Sequence, residues 1–291
     1  FSNELTTCDI ACANGLIVLT YIPLIAVFGL SFFKWGGTGA PEWNGINNYI
    51  KLFTTDPYFK ESIKVTVYFS LLAVVGSMVY SLIVAMLLNR KIPARGFFRA
   101  VFYLPYVLPA AAVYIGWSWL YNTEWGLFNY ILSKLGIERL MFVSSSSQVV
   151  PSLALIAVWL SGNLIVIFLA GLQNVPRVYH EAAEIDGANA WQRFWHVTFP
   201  SMTPIIFYNM LMSLITNMQV VTPALALTKG GPGKSSYFMS YMLYNYAFKQ
   251  RGKIGLACAI AFVLFLLIGA FTLLLFATSK SWIFYEGGDD K

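Results

Sequence analysis

The sequence predicts an all-α membrane protein with six spanning helices and a short helical projection between the fourth and the fifth. Its composition is the first sign. Hydrophobic residues make up 58% of the 291 residues and charged residues only 11%, with a mean hydropathy of +0.64, whereas a soluble domain carries about 25% charged residues. The second sign is a set of runs without Asp, Glu, Lys or Arg, at 14–33, 65–88, 100–121, 150–172, 205–227 and 254–278. Each is long enough, at about 1.5 Å per helical residue, to cross a hydrocarbon core of about 30 Å. The third is the lack of strict alternation. Segments such as "LLAVVGSMVYSLIVAMLL" and "ACAIAFVLFLLIGAFTLLLF" are apolar on every face, where a transmembrane β-barrel strand alternates over about ten residues.

The first run lacks the basic start of a cleaved signal and is too long for one, so it reads as a retained helix. Between the second and third runs lies the densest basic segment, "NRKIPARGFFR". With both termini in the cytoplasm, the inner loops hold Arg90, Lys91, Arg95, Arg99, Arg177, Arg193, Lys280 and Lys291, eight of the nineteen basic residues. A plain count therefore does not support that orientation, and "KQRGK" before the sixth run opposes it. The net charge of +6 is spread over short loops, which suits anionic headgroups and implies no nucleic-acid partner. The cysteines Cys8, Cys12 and Cys258 form no disulfide framework, and Cys12 and Cys258 read as small buried hydrophobes.

The fifth run is followed by "TKGGPGKSS", which invites a phosphate-loop reading at Gly233, Lys234 and Ser235. The position of the opening glycine holds Thr228, Pro232 removes a backbone donor, and the preceding run is a membrane helix rather than a strand. A Gly/Pro turn that closes a helix is the better account. Neither histidine, His180 or His196, has a metal-like partner spacing, and no nucleophile sits beside a base, so neither a metal site nor a catalytic residue is expected.

The polar interruption 173–200, "QNVPRVYHEAAEIDGANAWQRFWHVTFP", is the most informative segment. Asn174 and Pro176 supply a helix start, Glu181 and Glu184 suit an early turn, and Gly187 is a natural stop. A second short helix, "ANAWQRFWHV", is expected to end before Pro200, with Trp191, Phe194 and Trp195 at headgroup level.

On these residues the chain resembles the permeases of ABC importers. Their cytoplasmic loop carries E-A-A, three residues, G, nine residues and I-x-L-P, and here Glu181, Ala182, Ala183, Gly187, Val197, Phe199 and Pro200 stand in that spacing. "YIPLIAVFGLSFFKW", "RGFFRAVFYLPYVLPAAAVYIGWSWLY" and "FLAGLQNVP" resemble further segments of carbohydrate-importer permeases. The turn Thr228, Gly230, Gly231, Pro232 followed by "YNYAF" resembles the MalF-like half of the family. The resemblance implies a single permease domain over 1–291 in a bacterial or archaeal cytoplasmic membrane. Its partners would be a second, MalG-like permease, a cytoplasmic ATPase dimer that binds ATP and magnesium, and an extracytoplasmic solute-binding protein; a homodimer stays open. This chain itself is then no enzyme and holds no cofactor. The projection becomes a coupling helix that carries ATPase closure to the bundle through Glu181, Ala182, Ala183, Glu184, Gly187, Val197 and Pro200.

The solute is read from polar groups within apolar runs. Asn209, Ser213, Thr216 and Asn217 recur at i, i+4, i+7 and i+8, and Trp159 stands near Asn163. Amides beside an aromatic suit a neutral, hydroxyl-rich sugar or polyol, while the same stripe also suits interhelical packing. Basic residues outside the membrane leave a sugar phosphate or another hydrophilic solute open. The rival reading, an ion-coupled carrier, wants ionisable groups at mid-membrane, and the six runs contain no Asp, Glu, Lys or Arg.

Overall fold

The computed structural model describes Gly15, residues 17–250 and residues 252–284. Cys8, Cys12, Asn14, Arg251 and Lys291 lie outside the described residues. In chain order the helices are α1 (Ile22–Leu30), α2 (Asn47–Ile50), α3 (Phe59–Asn89), α4 (Arg95–Val107), α5 (Ala110–Leu120), α6 (Leu127–Lys134), α7 (Val149–Trp159), α8 (Gly162–Asn174), α9 (Arg177–Ile185), α10 (Ala190–Arg193), α11 (Phe199–Met218), α12 (Met239–Tyr244) and α13 (Ile254–Ser279). Two residue pairs form the antiparallel strands β1 (Phe33–Lys34) and β2 (Glu42–Trp43), in the register Phe33 to Trp43 and Lys34 to Glu42. The chain is thus an all-α membrane protein that crosses the bilayer more than once.

Among the described residues two unbroken helices, α3 and α13, are long and apolar enough to span a membrane. The count rises to four if α4 with α5 and α7 with α8 are each taken as one span. Those pairs bend by 99° and 50°. Over the expected third run, 100–121, the first bend has a plain cause. Pro109 offers no amide hydrogen and holds Leu108 in an extended conformation, with ψ 144°. The fifth run departs likewise. α11 stops at Met218, and a separate π turn, Ala224–Thr228, follows Pro223.

The chain divides into two compact units. One takes in the described residues up to Ile63 together with Met239–Leu267. Its two-stranded hairpin is anchored by buried Asn48, whose amide donates to the carbonyls of Ser31 at 2.8 Å and Phe33 at 2.9 Å. Tyr49 meets Ser31 Oγ at 2.6 Å, and burial raises its phenol above the ordinary tyrosine value, an effect that this hydrogen bond offsets in part. Asp56 caps α3 by accepting from the amides of Tyr58 and Phe59, and it also accepts from the Tyr246 hydroxyl. The first turn of α13 lies directly on the hairpin backbone. Gly255 donates to Trp35 O at 3.1 Å, and a Cβ at Gly255 would stand 2.0 Å from Phe33 O.

The other unit takes in Lys64–Phe238 and the described residues from Ile268. Its core is built by Val84, Ala85 and Leu88 of α3 against Ile165, Phe168, Leu169 and Leu172 of α8 and Met202 of α11. Glycine permits a second close approach here, since a Cβ at Gly162 would lie 2.6 Å from Phe102 O. The segment after Ala224–Thr228 folds as a turn with no strand before it, and Ser236 Oγ lies 2.7 Å from Thr228 Oγ1 and 2.6 Å from Gly231 O. Lys234 stacks over the Tyr237 ring at 4.4 Å. The strand-to-helix setting of a phosphate loop is absent among the described residues.

Because backbone blocks the space at Gly255, Gly255→Ala is expected to lower stability by about 2 kcal/mol, whereas Gly269→Ala, which meets nothing within 4 Å, is expected to be neutral or slightly stabilising. Thermal unfolding of the two purified variants in detergent checks the pair.

Candidate functional site

Two places in the larger unit bring candidate residues together. The first is the loop 173–200. α9 begins directly after Pro176, which occupies the N-cap with extended backbone at φ −60° and ψ 131°. Asn174, expected as the start signal, instead closes α8, because the carbonyl side of Val175 and the proline ring at 176 separate the two helices. The acids therefore sit later than expected. Glu181 lies in the middle of α9 and Glu184 in its last turn, where it forms an ion pair with Arg193.

α9 ends as Gly187 was expected to end it. The glycine takes φ +78°, a left-handed conformation that costs an L-residue about 1–2 kcal/mol. Ala188 N donates to Ala183 O at 2.9 Å and Gly187 N to Glu184 O at 3.0 Å, which satisfies the last carbonyls of the helix. Asn189 then opens α10 through a reciprocal box. Its side chain accepts from Gln192 N at 2.9 Å, and Gln192 Oε1 accepts from Asn189 N at 2.9 Å. The spacing Asn189, two residues, Gln192 is a legible cap signal that the sequence reading passed over.

The second short helix does not stop before Pro200. Its backbone passes from α10 through a π turn, Phe194–Thr198, straight into α11. A π turn shifts the hydrogen-bond register by one residue just before Pro200, and at Pro204, which cannot donate, the Thr203 hydroxyl donates to the Pro200 carbonyl instead, at 2.7 Å. Trp191, Phe194, Trp195 and Phe199 pack along this continuous segment, with ring centroids 5.1 Å apart for Phe194 with Trp195 and for Trp195 with Phe199. Of the seven candidate coupling residues, Ala183, Gly187 and Val197 line one shallow cavity of about 260 Å³ with Arg193. Glu181 and Ala182 point outward and are exposed, as are Val178, Ile185 and Trp191. Pro200 is half-buried in α11.

The second place is a cavity of about 530 Å³. Five of the six candidate pathway residues line it: Asn163, Asn209, Ser213, Thr216 and Asn217. The sixth, Trp159, does not. Its ring packs edge-on to Trp117 at 5.6 Å, on the last residue of α7, with the break at Leu160 and Ser161 between it and Asn163. Three residues that sequence reasoning missed, Tyr106, Tyr114 and Tyr208, bring aromatic surface to the cavity instead. They sit on helices whose breaks hydropathy does not reveal.

Three helix interruptions border this cavity: Leu108 before Pro109, Leu160 with Ser161, and the stretch Val220–Pro223 after α11. At Leu160 and Ser161 a side chain takes up the carbonyl that the break frees. Ser161 Oγ reaches Val158 O at 2.6 Å and Ser81 Oγ at 3.0 Å. Asn209 and Asn217 each donate to a carbonyl one turn back, at 2.8 Å. Among the described residues no Asp, Glu, Lys or Arg lines the cavity. Amide and hydroxyl groups beside phenol rings offer donors, acceptors and flat apolar faces to a neutral polyhydroxyl ligand.

Comparison with known proteins places this architecture. Residues 77–281 match the family described as binding-protein-dependent transport system inner membrane components. The chain is 36% identical over 280 residues, 95% of its length and 90% of the relative's, to the probable ABC transporter permease protein YesP of Bacillus subtilis. It is 36% identical over 268 residues, 91% of each, to the multiple sugar-binding transport system permease protein MsmF of Streptococcus mutans. In fold it is similar to a chain in the crystal structure of a bacterial ABC transporter that imports the acidic polysaccharide alginate, with a TM-score of 0.80, 19% identity and 95% of both chains covered.

Loss of the reciprocal cap tests the local account of the loop. Asn189→Ala is expected to destabilise α10 by about 1 kcal/mol, seen as amide hydrogen exchange roughly fivefold faster at Gln192, while Asn189→Asp retains wild-type protection.

Proposed function

The chain belongs to the family of binding-protein-dependent transport system inner membrane components, and from that premise we propose that it lines the translocation pathway for a neutral sugar or polyol in an ATP-driven importer. The observation that carries the solute class is the uncharged cavity of about 530 Å³, walled by Asn163, Asn209, Ser213, Thr216 and Asn217 together with Tyr106, Tyr114 and Tyr208. A fixed charge would impose a sign on the ligand, and amides with hydroxyls impose only a hydrogen-bonding pattern. The name of the Streptococcus mutans relative, which places that protein in a multiple sugar-binding system, supports the same class.

The proposal extends to the topology. Spans over 14–33, 65–88, 100–121, 150–172, 205–227 and 254–278 form one permease domain, with the loop 173–200 facing the cytoplasm. Broken spans are tolerated where the interrupted backbone lines a cavity or is covered by protein. A second, MalG-like permease completes the pathway, an extracytoplasmic binding protein delivers solute, and ATP with magnesium acts in a separate ATPase dimer.

Coupling follows from the rigidity of the loop. α9 is tied at its end by Gly187 and by the Glu184 pair with Arg193, and Arg193 leads through an unbroken helix into α11, which lines the cavity. A push on the exposed face of α9, at Glu181 and Ala182, therefore passes into the helix that carries Asn209 and Asn217. Substitution of Gly187 by Pro removes the Gly187 amide donor to Glu184 and forbids φ +78°.

In nanodiscs that hold the chain with its second permease and ATPase, ATP hydrolysis stimulated by the solute-loaded binding protein is expected to fall at least about tenfold in Gly187→Pro and several-fold in Glu181→Ala. Asn209→Leu, by contrast, is expected to retain hydrolysis and lose uptake of labelled sugar. Movement of solute down an imposed ion gradient by the chain without any ATPase would overturn the reading in favour of a carrier.

A further inference from the structure

We propose that the N-terminal end of α4 is a binding site for an anionic phospholipid, with Arg95 and Arg99 holding the headgroup phosphate and the outer face of α4 meeting the acyl chains. Both guanidinium groups converge on one amide. With the Gln173 carbonyl turned toward them, it accepts from Arg95 Nη2 at 2.9 Å and from Arg99 Nη2 at 3.0 Å. That neutral oxygen draws two positive charges close together, Arg95 Nη2 also donates to Asn89 Oδ1 at 3.3 Å, and neither guanidinium is paired with a carboxylate among the described residues. The Nε of each arginine is buried and has no hydrogen-bond partner among those residues. Two adjacent cations held only by neutral amide oxygens call for a partner that carries negative charge, and a phosphate diester matches the fork geometry of a guanidinium. Exposed Arg90 and Lys91 add to the field at the same corner.

The neighbouring surface identifies the phosphate as a lipid's. Phe97, Val101, Leu104 and Val107 recur at i, i+4, i+7 and i+10 on α4 and are exposed. The inner side of α4 is occupied, since Phe102 O lies against Gly162 of α8. α4 also turns 99° from α5. A basic end at the start of the proposed span 100–121, followed by an apolar outer stripe, sets the charges at headgroup level and the stripe among the acyl chains. A soluble phosphate would meet the arginines alone, whereas a phospholipid meets the arginines and the stripe together.

The test uses the purified full chain in detergent, titrated with dioleoylphosphatidylglycerol, with dioleoylphosphatidylcholine and with inorganic phosphate, and read by native mass spectrometry. The anionic lipid is expected to bind on the order of tenfold more tightly than the zwitterionic one, and the advantage shrinks as salt rises from about 0.05 to 0.5 M. Arg95→Gln with Arg99→Gln is expected to abolish the advantage, and Lys134→Gln with Arg139→Gln to leave it intact. Should the arginine variant fail to fold, the lipid preference of the wild type and its salt dependence decide alone. Equal binding of the two lipids, a preference that survives the double substitution, inorganic phosphate that occupies the arginines in place of lipid, or a dimer of the chain that forms over the stripe and excludes lipid would each overturn the proposal.

Discussion

The constraint on which the rest of this molecule depends is that backbone amides and carbonyls must find partners inside the membrane-spanning body, because a bilayer core supplies none. α3 and α13 meet it by remaining unbroken for 31 and 26 residues. The broken helices meet it otherwise. Where α7 gives way to α8, Ser161 bonds Val158 O and Ser81, and Leu164 N returns to Ser161 O. Where α4 gives way to α5, proline has already removed the donor that would need a partner. The breaks gather around one cavity, and the polar side chains that repair them are among those that make its wall polar.

Apolar surface alone does not hold such a bundle together, since lipid is as good a solvent for Leu as another helix is. Close contact has to do so. Gly162 lets α8 approach the backbone of α4 beyond what any side chain permits, and Gly255 does the same for α13 on the hairpin. Buried serines serve the same end, with Ser62, Ser77, Ser81 and Ser161 small enough for helices to draw near and polar enough to bond across or along them. The arginines of α4 show the converse, a place where charge is drawn against a neutral amide and the field is left for something outside the chain to satisfy.

How much of this was legible follows from what each signal measures. Hydropathy integrates over about 20 residues and reports that a segment belongs in a membrane, so the apolar runs were plain. It carries no direction, so the 99° turn at Leu108 and Pro109 was visible only as a proline, and the 50° turn at Leu160 and Ser161 had no more than a Ser-Gly pair to mark it. The amide stripe survived because Asn209 through Asn217 lie on one uninterrupted helix, where a spacing of four means a shared face. Trp159 and Asn163 have the same spacing across a break, where a spacing of four no longer means a shared face, and Trp159 packs on Trp117 outside the cavity lining. In the loop, Gly187 was readable because a left-handed position has few other occupants, whereas the continuity through Pro200 was not, since a π turn leaves no residue signature to set against two prolines.

That continuity bears on the proposed coupling of the loop to the cavity. Had the second short helix ended before Pro200, a hinge would separate the exposed helix α9 from the wall of the cavity, and force on one would be lost as rotation at the other. Instead Asn189 starts a helical path that reaches Met218 through α10, the π turn and α11, and that path carries Val197 at the loop cavity and Asn209, Ser213, Thr216 and Asn217 at the larger one. The π turn is the one point along it where the hydrogen-bond register changes. Return of that turn to α-helical register would rotate α11 relative to α10 by roughly 100°, a little over a quarter of a turn. Under the proposed coupling, a backbone adjustment at Phe194–Thr198 would therefore re-aim the amide stripe and leave the loop fold that precedes it unchanged.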